Sequence, residues 1–485
     1  MLRSSTRFVA ALAALTLVAA ACGDDDDDAT ESTDAAEETT AATEGAGTAA
    51  PEGTEAPEGT EAPEGTGEPE DTTESTGGDD GGEAWTVSGE DCIDPDRINE
   101  PIEGTVRIGS SGPLSGGPAA AAFAPVIAGL QLYIDYANEN DLLPGYELEL
   151  SIGDDQYDPA LTPGVISGEL DAGAHFFTGM IGTPNNKAVR DTLNEECVPQ
   201  LLAGSGDPAW GDVENYPWTT GGILPYDVEA KAYAEHIGTE FPDGATAAVY
   251  YVNNDAGVAF KEGFEEVAGE FGIEIVDEQT VEAPETAPPS AQVSSIAGNA
   301  PDVIVSFPLG AQCPTFLSEI ANAKAANPGW EPRIYNTSTC ASSLILETAG
   351  ASADGIYTSP NTGIVDLNNE ETHTIPGVAE YLATIEAAGL SDTVPTSATG
   401  WLFGEVTLEI LRQAAESPDG LTQASIINAA RNFEYSPSIV REGVVFKMSG
   451  EEDDDTMEDV QILNYDADTM TMTDVGELIT SFRSS

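Results

Sequence analysis

The stretch EGTVRIGSSGPLSGGPAAAAFAPVIAGLQLYIDYANENDLLPGYELEL, residues 103–150, decides the fold. Its apolar run at 105–108 reads as a buried strand, 109–118 as a Gly/Ser/Pro loop, and about 119–140 as a long helix. A turn at Pro144 and Gly145 then leads into a second strand. Strand, helix and strand in that order make one right-handed crossover unit of a parallel sheet. The loop stands at the carboxyl end of its strand, where open parallel sheets hold their ligands.

The same alternation continues outward from this unit. Strands are expected at 147–152, 175–178 and 200–203, with helices between them and Gly- or Ser-rich loops at their ends. The pattern pauses at PWTTGGIL (217–224) and restarts. Strands at 245–252, 274–279, 302–307 and 333–335 then alternate with helices at 227–241, 258–271, 290–298 and 315–326. Two doubly wound α/β lobes are therefore predicted. Long helices at 377–388 and 399–415 follow, and 443–448 and 460–465 read as antiparallel strands closing the chain.

Charge bounds the function. Over 485 residues the chain carries 87 acidic and 15 basic side chains, a formal charge of −72. Nucleic acid is excluded as a partner, because holding a phosphate backbone needs a basic footprint. Residues 23–90 hold about 23 of the carboxylates and no Lys or Arg. Their repeat, PEGTEAPEGTEAPEGT at 51–66, has almost no apolar mass to bury, so the tract is expected to be a disordered, self-repelling tether. Without this tract and the first 22 residues the chain still carries about −51, a repulsion that salt would relieve.

Ahead of the tether, MLRSSTRFVAALAALTLVAAAC (1–22) has two arginines, an apolar run of about a dozen residues and a small-residue end, the pattern of an export signal. Its last four residues resemble a bacterial lipoprotein box, with Ala19 where Leu is commoner. Cys22 is the expected lipidation site, and cleavage after Ala-x-Ala is the alternative. The other cysteines, Cys92, Cys197, Cys313 and Cys340, form an even set in an exported chain, which implies two disulfides with three possible connectivities. Cys92 with Cys197 and Cys313 with Cys340 is preferred, since each pair then lies within one lobe. Their spacing fits no zinc motif, and no metal or cofactor is expected.

Five segments carry a resemblance: VRIGSSGPLSG (106–116), GLQLYIDYANEND (129–141), YELELSIGDDQYDPA (146–160), CVPQLLAGSG (197–206) and AAVYYVNNDAGVAFKEGFEE (247–266). In this order they are similar to the extracellular solute-binding proteins of bacterial ABC importers, in the branched-chain amino acid, amide and aromatic-compound group. The resemblance covers about 92–485. It implies the type I periplasmic-binding fold, two lobes joined by three crossovers with a ligand cleft between them. The implied organisation is a signal peptide at 1–22, the tether at 23–91, lobe 1 at 92–223 and 357–437, and lobe 2 at 224–356 and 438–485. It also implies a monomer, lipid-anchored on the outer face of the cell membrane, that delivers a small polar solute to a permease and ATPase complex.

In this group backbone N–H groups and hydroxyls at helix N-termini hold the solute's polar head. The matching positions are Ser111, Gly112, Gly182, Thr183, Ala203, Gly204 and Ser205, with Phe123 as an aromatic wall; turn chemistry and core packing are the alternatives. On the second lobe Tyr251, Asp255, Phe307, Gln312, Asn336 and Thr337 are the candidates. Amino acid binders place a Tyr where this chain has Ala256, and an acidic residue in the loop matching 336–339, which here has none. A buried ammonium without counter-charge is costly, so an α-amino acid is disfavoured unless Asp255 or Asp154 supplies it.

Catalysis is not expected. The chain lacks a Gly-x-Ser-x-Gly elbow, a His-Glu-x-x-His motif, a Walker A loop and a Gly-x-Gly-x-x-Gly fingerprint. Its histidines, His175, His236 and His373, are far apart in sequence and read as structural. A ligand sensor of the same fold is the alternative to transport, and a secreted hydrolase a weaker one.

Overall fold

The computed structural model describes residues 84–482 apart from 284 and 451–452. The export signal, Cys22 and the acidic tract up to 83 lie outside the described residues.

The first sheet is built from β1 (Thr105–Gly112), α1 (Gly117–Glu139), β2 (Glu147–Asp154), α2 (Thr162–Asp171), β3 (Phe176–Thr178), α3 (Thr183–Glu195), β4 (Gln200–Ala203) and β5 (Thr219–Gly221). Its strand order is β2-β1-β3-β4-β5, and every pairing is parallel. The quoted stretch is thus the β1-α1-β2 crossover, with Thr105 paired to Glu147 and Gly112 to Asp154.

The second sheet draws on α4 (Tyr226–Glu240), β6 (Ala245–Val252), α5 (Asp255–Ala268), β7 (Ile273–Val281), α6 (Ser290–Asn299), β8 (Val303–Phe307), α7 (Gln312–Ala326), β9 (Arg333–Asn336), α8 (Ser343–Ala349) and β10 (Tyr357–Thr358). The chain then returns to the first lobe through α9 (Pro376–Ala387), α10 (Val394–Glu416), α11 (Gln423–Ala430), β11 (Asn432–Tyr435) and β12 (Phe446–Ser449). It ends in β13 (Val460–Asp466) and β14 (Thr471–Ile479). The second sheet has the order β14-β13-β10-β9-β8-β6-β7, parallel from β7 to β10 and antiparallel through β13 and β14.

Both lobes pack around central strands that are buried along their length, as a parallel sheet covered on two faces requires. In lobe 1, α1 and α10 meet backbone to backbone: a Cβ on Gly400 would lie 1.7 Å from the Val126 carbonyl oxygen. That close approach brings the first turns of both helices to the edge facing lobe 2.

Three expected boundaries move. Tyr357 was assigned to lobe 1, but it pairs in the second sheet, stacked on Tyr335 at 5.0 Å, so the chain crosses only after Thr358. The strand expected at 443–448 does not pair with the one at 460–465. It pairs instead with β11, through buried Phe446 and Met448, and Thr456 donates to the Gly221 carbonyl at 2.6 Å. The last crossing therefore falls near Asp459 rather than at 438. At the amino end, ordered contacts begin before Cys92. Asn432 brackets the backbone of Trp85 at 3.0 and 2.8 Å, Asn428 accepts from Val87 at 2.7 Å, and Trp85 covers the buried Arg431 guanidinium.

Both preferred disulfides are formed, Cys92–Cys197 in lobe 1 and Cys313–Cys340 in lobe 2.

Candidate functional site

A cavity of about 160 Å³ lies between the lobes. Lobe 1 contributes Phe123 and Val126 from α1, Tyr157 from the loop after β2, Gly182 and Gly204 from the loops after β3 and β4, and Phe403 from α10. Facing them are Tyr226 at the start of α4, Leu309 after β8, and Ser338, Thr339 and Ser342 after β9. The crossover at 360–367 and Arg441 close the side. The lobes touch across the cavity, where the Ser342 and Thr396 hydroxyls lie 2.9 Å apart. They touch again outside it, where Lys187 of α3 bridges Asp207 at 2.8 Å and Asp255 of α5 at 3.1 Å.

Local chemistry shapes each wall. In lobe 1, Asp154 accepts from the backbone N–H of Leu114 and Ser115 and from the Ser115 hydroxyl, which holds the Gly/Ser loop after β1 and keeps the Asp154 pKa low. Asp155 is fully buried. It accepts from Tyr157 N–H at 3.0 Å, Thr162 Oγ1 at 3.2 Å and Asn185 Nδ2 at 3.1 Å, while burial pushes its pKa up. In lobe 2, Glu229 is buried beneath the turn after β9. It accepts from Ser338 N–H at 2.6 Å, Ser338 Oγ at 2.8 Å, Tyr233 Oη at 2.7 Å and Thr337 Oγ1 at 3.4 Å. Desolvation outweighs these bonds and raises its pKa to about 7. The Cys313–Cys340 disulfide ties the same turn to the start of α7.

Of the expected contacts, Phe123, Gly182 and Gly204 lie on the cavity wall. Thr183 and Ser205 do not. Their hydroxyls bond each other at 2.5 Å and are covered by Tyr226, whose phenol burial pushes up to about 12 while the same two hydroxyls pull it down. Ser111, Gly112 and Ala203 are buried one layer deeper, and the Ser111 hydroxyl lies by Asp155 without a well-aligned bond.

On lobe 2 the difference is larger. Tyr251 donates to Glu278 at 2.6 Å, away from the cavity. Phe307 is core, packed on Tyr226 and Phe260. Gln312 spends its amide on the carbonyls of Glu282 and Glu285 and accepts from Leu309 N–H, so it sets the Leu309 loop without reaching the cavity itself. Asn336 accepts from Ser306 and Thr337 donates to Glu229, both behind the wall. Asp255 sits outside, on Lys187. Among the wall residues missed from the sequence are Tyr157, Tyr226, Phe403 and Arg441. Only Tyr157 had a local signal, as the apolar member of a polar loop at a strand end.

One carboxylate and one guanidinium lie on the wall among the described residues. Asp366 accepts from the N–H groups of Asn368 at 2.9 Å and Met472 at 2.7 Å. Arg441 donates to the Ile364 carbonyl and to Asp474 at 3.3 Å, and burial lowers its pKa.

No curated protein sequence matches the chain. Among solved structures, a branched-chain amino acid ABC transporter protein from Thermus thermophilus with bound valine is 21% identical, with a TM-score of 0.69 over 78% of this chain and 97% of that one. A fatty acid ABC transporter substrate-binding protein from Thermomonospora curvata is 16% identical, with a TM-score of 0.65 over 79% and 94%. A solute-binding protein of an ABC transporter from Rhodopseudomonas palustris HaA2, in complex with p-hydroxybenzoic acid, is 17% identical, with a TM-score of 0.64 over 78% and 97%. At these identities the likeness is one of fold. The family model described as periplasmic binding protein matches residues 105–469. With its two α/β lobes and the cavity between them, the chain belongs to the periplasmic binding protein family.

Proposed function

We propose that this protein is the substrate-binding lipoprotein of an ABC importer, anchored through Cys22, which captures a small organic solute between its lobes and delivers it to the permease. The observation that carries this is the interlobe cavity, lined mainly by apolar and aromatic side chains with a few hydroxyls, one carboxylate and one guanidinium among the described residues. No histidine or cysteine stands on that wall among the described residues, which favours binding over catalysis.

The volume and the charges narrow the solute. A dry engineered cavity of about 150 Å³ accepts a benzene molecule, so about 160 Å³ suits one ring or a branched chain of similar bulk. Asp366 is already engaged by two backbone N–H groups and makes a poor partner for an ammonium. Arg441 is paired with Asp474 and the Ile364 carbonyl, but its five N–H donors leave some that can be offered to a carboxylate. A small carboxylate with an apolar body therefore fits better than an α-amino acid. The solutes named for the three solved neighbours, valine, fatty acid and p-hydroxybenzoic acid, all pair a carboxylate with an apolar body.

The test is a thermal-shift screen of the purified chain against amino acids, amides, aromatic acids and short carboxylates. A specific solute at 100 times its Kd adds about 2.7 kcal/mol of stability. Matched acids and amides separate a charged from a neutral solute. The reading fails if no member stabilises the protein, and turnover of a hydrolase substrate would put an enzyme in its place.

A further inference from the structure

The loop after β2 carries two consecutive non-glycine residues in the left-handed region, Gln156 at φ 55° and Tyr157 at φ 61°. Side chains rarely adopt that conformation, and outliers of this kind gather at ligand clamps. Here two carboxylates hold it. Asp154 Oδ1 accepts from Gln156 N–H at 3.1 Å, and Asp155 Oδ1 accepts from Tyr157 N–H at 3.0 Å. Asp155 is fixed in turn by Thr162 and Asn185, from the helices that follow β2 and β3.

The strained turn delivers the Tyr157 ring to the cavity wall. It stacks on Phe123, with centroids 5.7 Å apart and planes 14° off parallel. Its other edge crosses the loop where α3 begins. A Cβ on Gly182, itself at φ 99°, would come within 2.8 Å of the ring, so only glycine leaves room for it. The Tyr157 hydroxyl has no hydrogen-bond partner among the described residues, whereas the neighbouring Tyr226 phenol has Ser205 and Thr183 beside it. A ring on the cavity wall with an unengaged hydroxyl can offer solute both an aromatic surface and a polar tip.

We propose that Tyr157 is the specificity-determining residue of this cavity. Its stacked ring favours a flat ring over a saturated body of equal size, and its hydroxyl engages a polar substituent on that ring. This rests on the reading of the cavity as the solute site. Benzoate, 4-hydroxybenzoate and cyclohexanecarboxylate share a carboxylate and differ in just these features, so their affinities can be compared by calorimetry on wild-type protein, Tyr157→Phe and Tyr157→Leu. Wild-type protein should prefer benzoate to cyclohexanecarboxylate by about fivefold, the scale of an aromatic pair.

Tyr157→Leu should bring that ratio to about one, with the polar turn left in place. Tyr157→Phe should keep the ratio and lose any gain of 4-hydroxybenzoate over benzoate. An unchanged ratio in Tyr157→Leu, or equal wild-type affinity for the flat and saturated acids, overturns the inference and leaves the importer reading standing. So does binding of another solute of the screening panel with none of these three bound. If nothing in the panel binds, the importer reading itself falls, and the inference with it. Should Tyr157→Leu fail to fold, the wild-type ratio and the Phe variant still decide.

Discussion

The two walls of the cleft use the same device at different range. Behind lobe 1, Asp155 holds the Tyr157 turn through a partner two residues away and others seven and thirty residues away. Behind lobe 2, Glu229 holds Ser338 and Thr337, which are 109 and 108 residues away. Both carboxylates are fully buried, and burial raises the pKa of both. A buried acid that accepts several donors rigidifies a loop, and it makes that loop dependent on a single group. The local version is a loop that organises itself. The distant version exists only once the lobe has folded, so lobe 2's half of the site depends more heavily on its keystone.

The largest expected effect therefore comes from removing that keystone. Glu229→Ala strands the Ser338 N–H and hydroxyl in a buried place and should destabilise lobe 2 by about 4 kcal/mol. Urea unfolding followed by tryptophan fluorescence measures it, and a loss below 1 kcal/mol would show that the turn is held by its disulfide instead.

Next in size is a pH effect on the same residue. Its folded pKa of about 7 lies above the ordinary 4.5, so the folded state keeps its proton longer than the unfolded chain. Stability from this group should fall by about 3 kcal/mol as pH rises from about 4.5 to about 7, then level off. Glu229→Gln should remove that slope, and if the two proteins run parallel across this window the assignment is wrong.

Lobe 1 should respond less. Asp155→Ala is expected to cost about 2 kcal/mol, since some of its donors can turn to other acceptors. Its diagnostic is a change at Tyr157: crystals of the variant should show the left-handed turn relaxed. Smallest is the link between the walls. Lys187→Met breaks a partly exposed bridge to Asp207 and Asp255 and should shift stability by less than about 1 kcal/mol. Salt at 1 M should erase most of that difference. A shift that persists in high salt would mean that Lys187 acts through packing.

The same contrast explains what could be read in the sequence. Gly182 and Gly204 sit in short loops at the ends of parallel strands and Phe123 in the helix that follows β1, and their place on the wall agrees with the crossover rule. Tyr251, Phe307 and Gln312 sit at comparable strand ends, yet they face a neighbouring helix or loop, a choice made by packing partners far along the chain. Thr183 and Ser205 were placed in the right loops, but Tyr226, whose helix belongs to the other lobe, covers them. Boundaries failed for a related reason. Tyr357 and the 443–448 segment are apolar strands by pattern, and pattern does not say which of two sheets a strand joins.

By itself the sequence determined the alternation of strands and helices and the doubling into two lobes, and it reduced the cysteines to two disulfides with the pairing inside each lobe preferred. These are properties of periodicity, chain order and composition, which survive without knowledge of distant contacts. Tertiary structure alone decided which of the expected side chains face the cavity, that Tyr226 shields the Thr183–Ser205 pair, that Arg441 stands on the wall, and that Glu229 supports the opposite turn. Each of these depends on bringing together residues from separate lobes or from strands far apart in the chain, and nothing in a linear spacing encodes that juxtaposition.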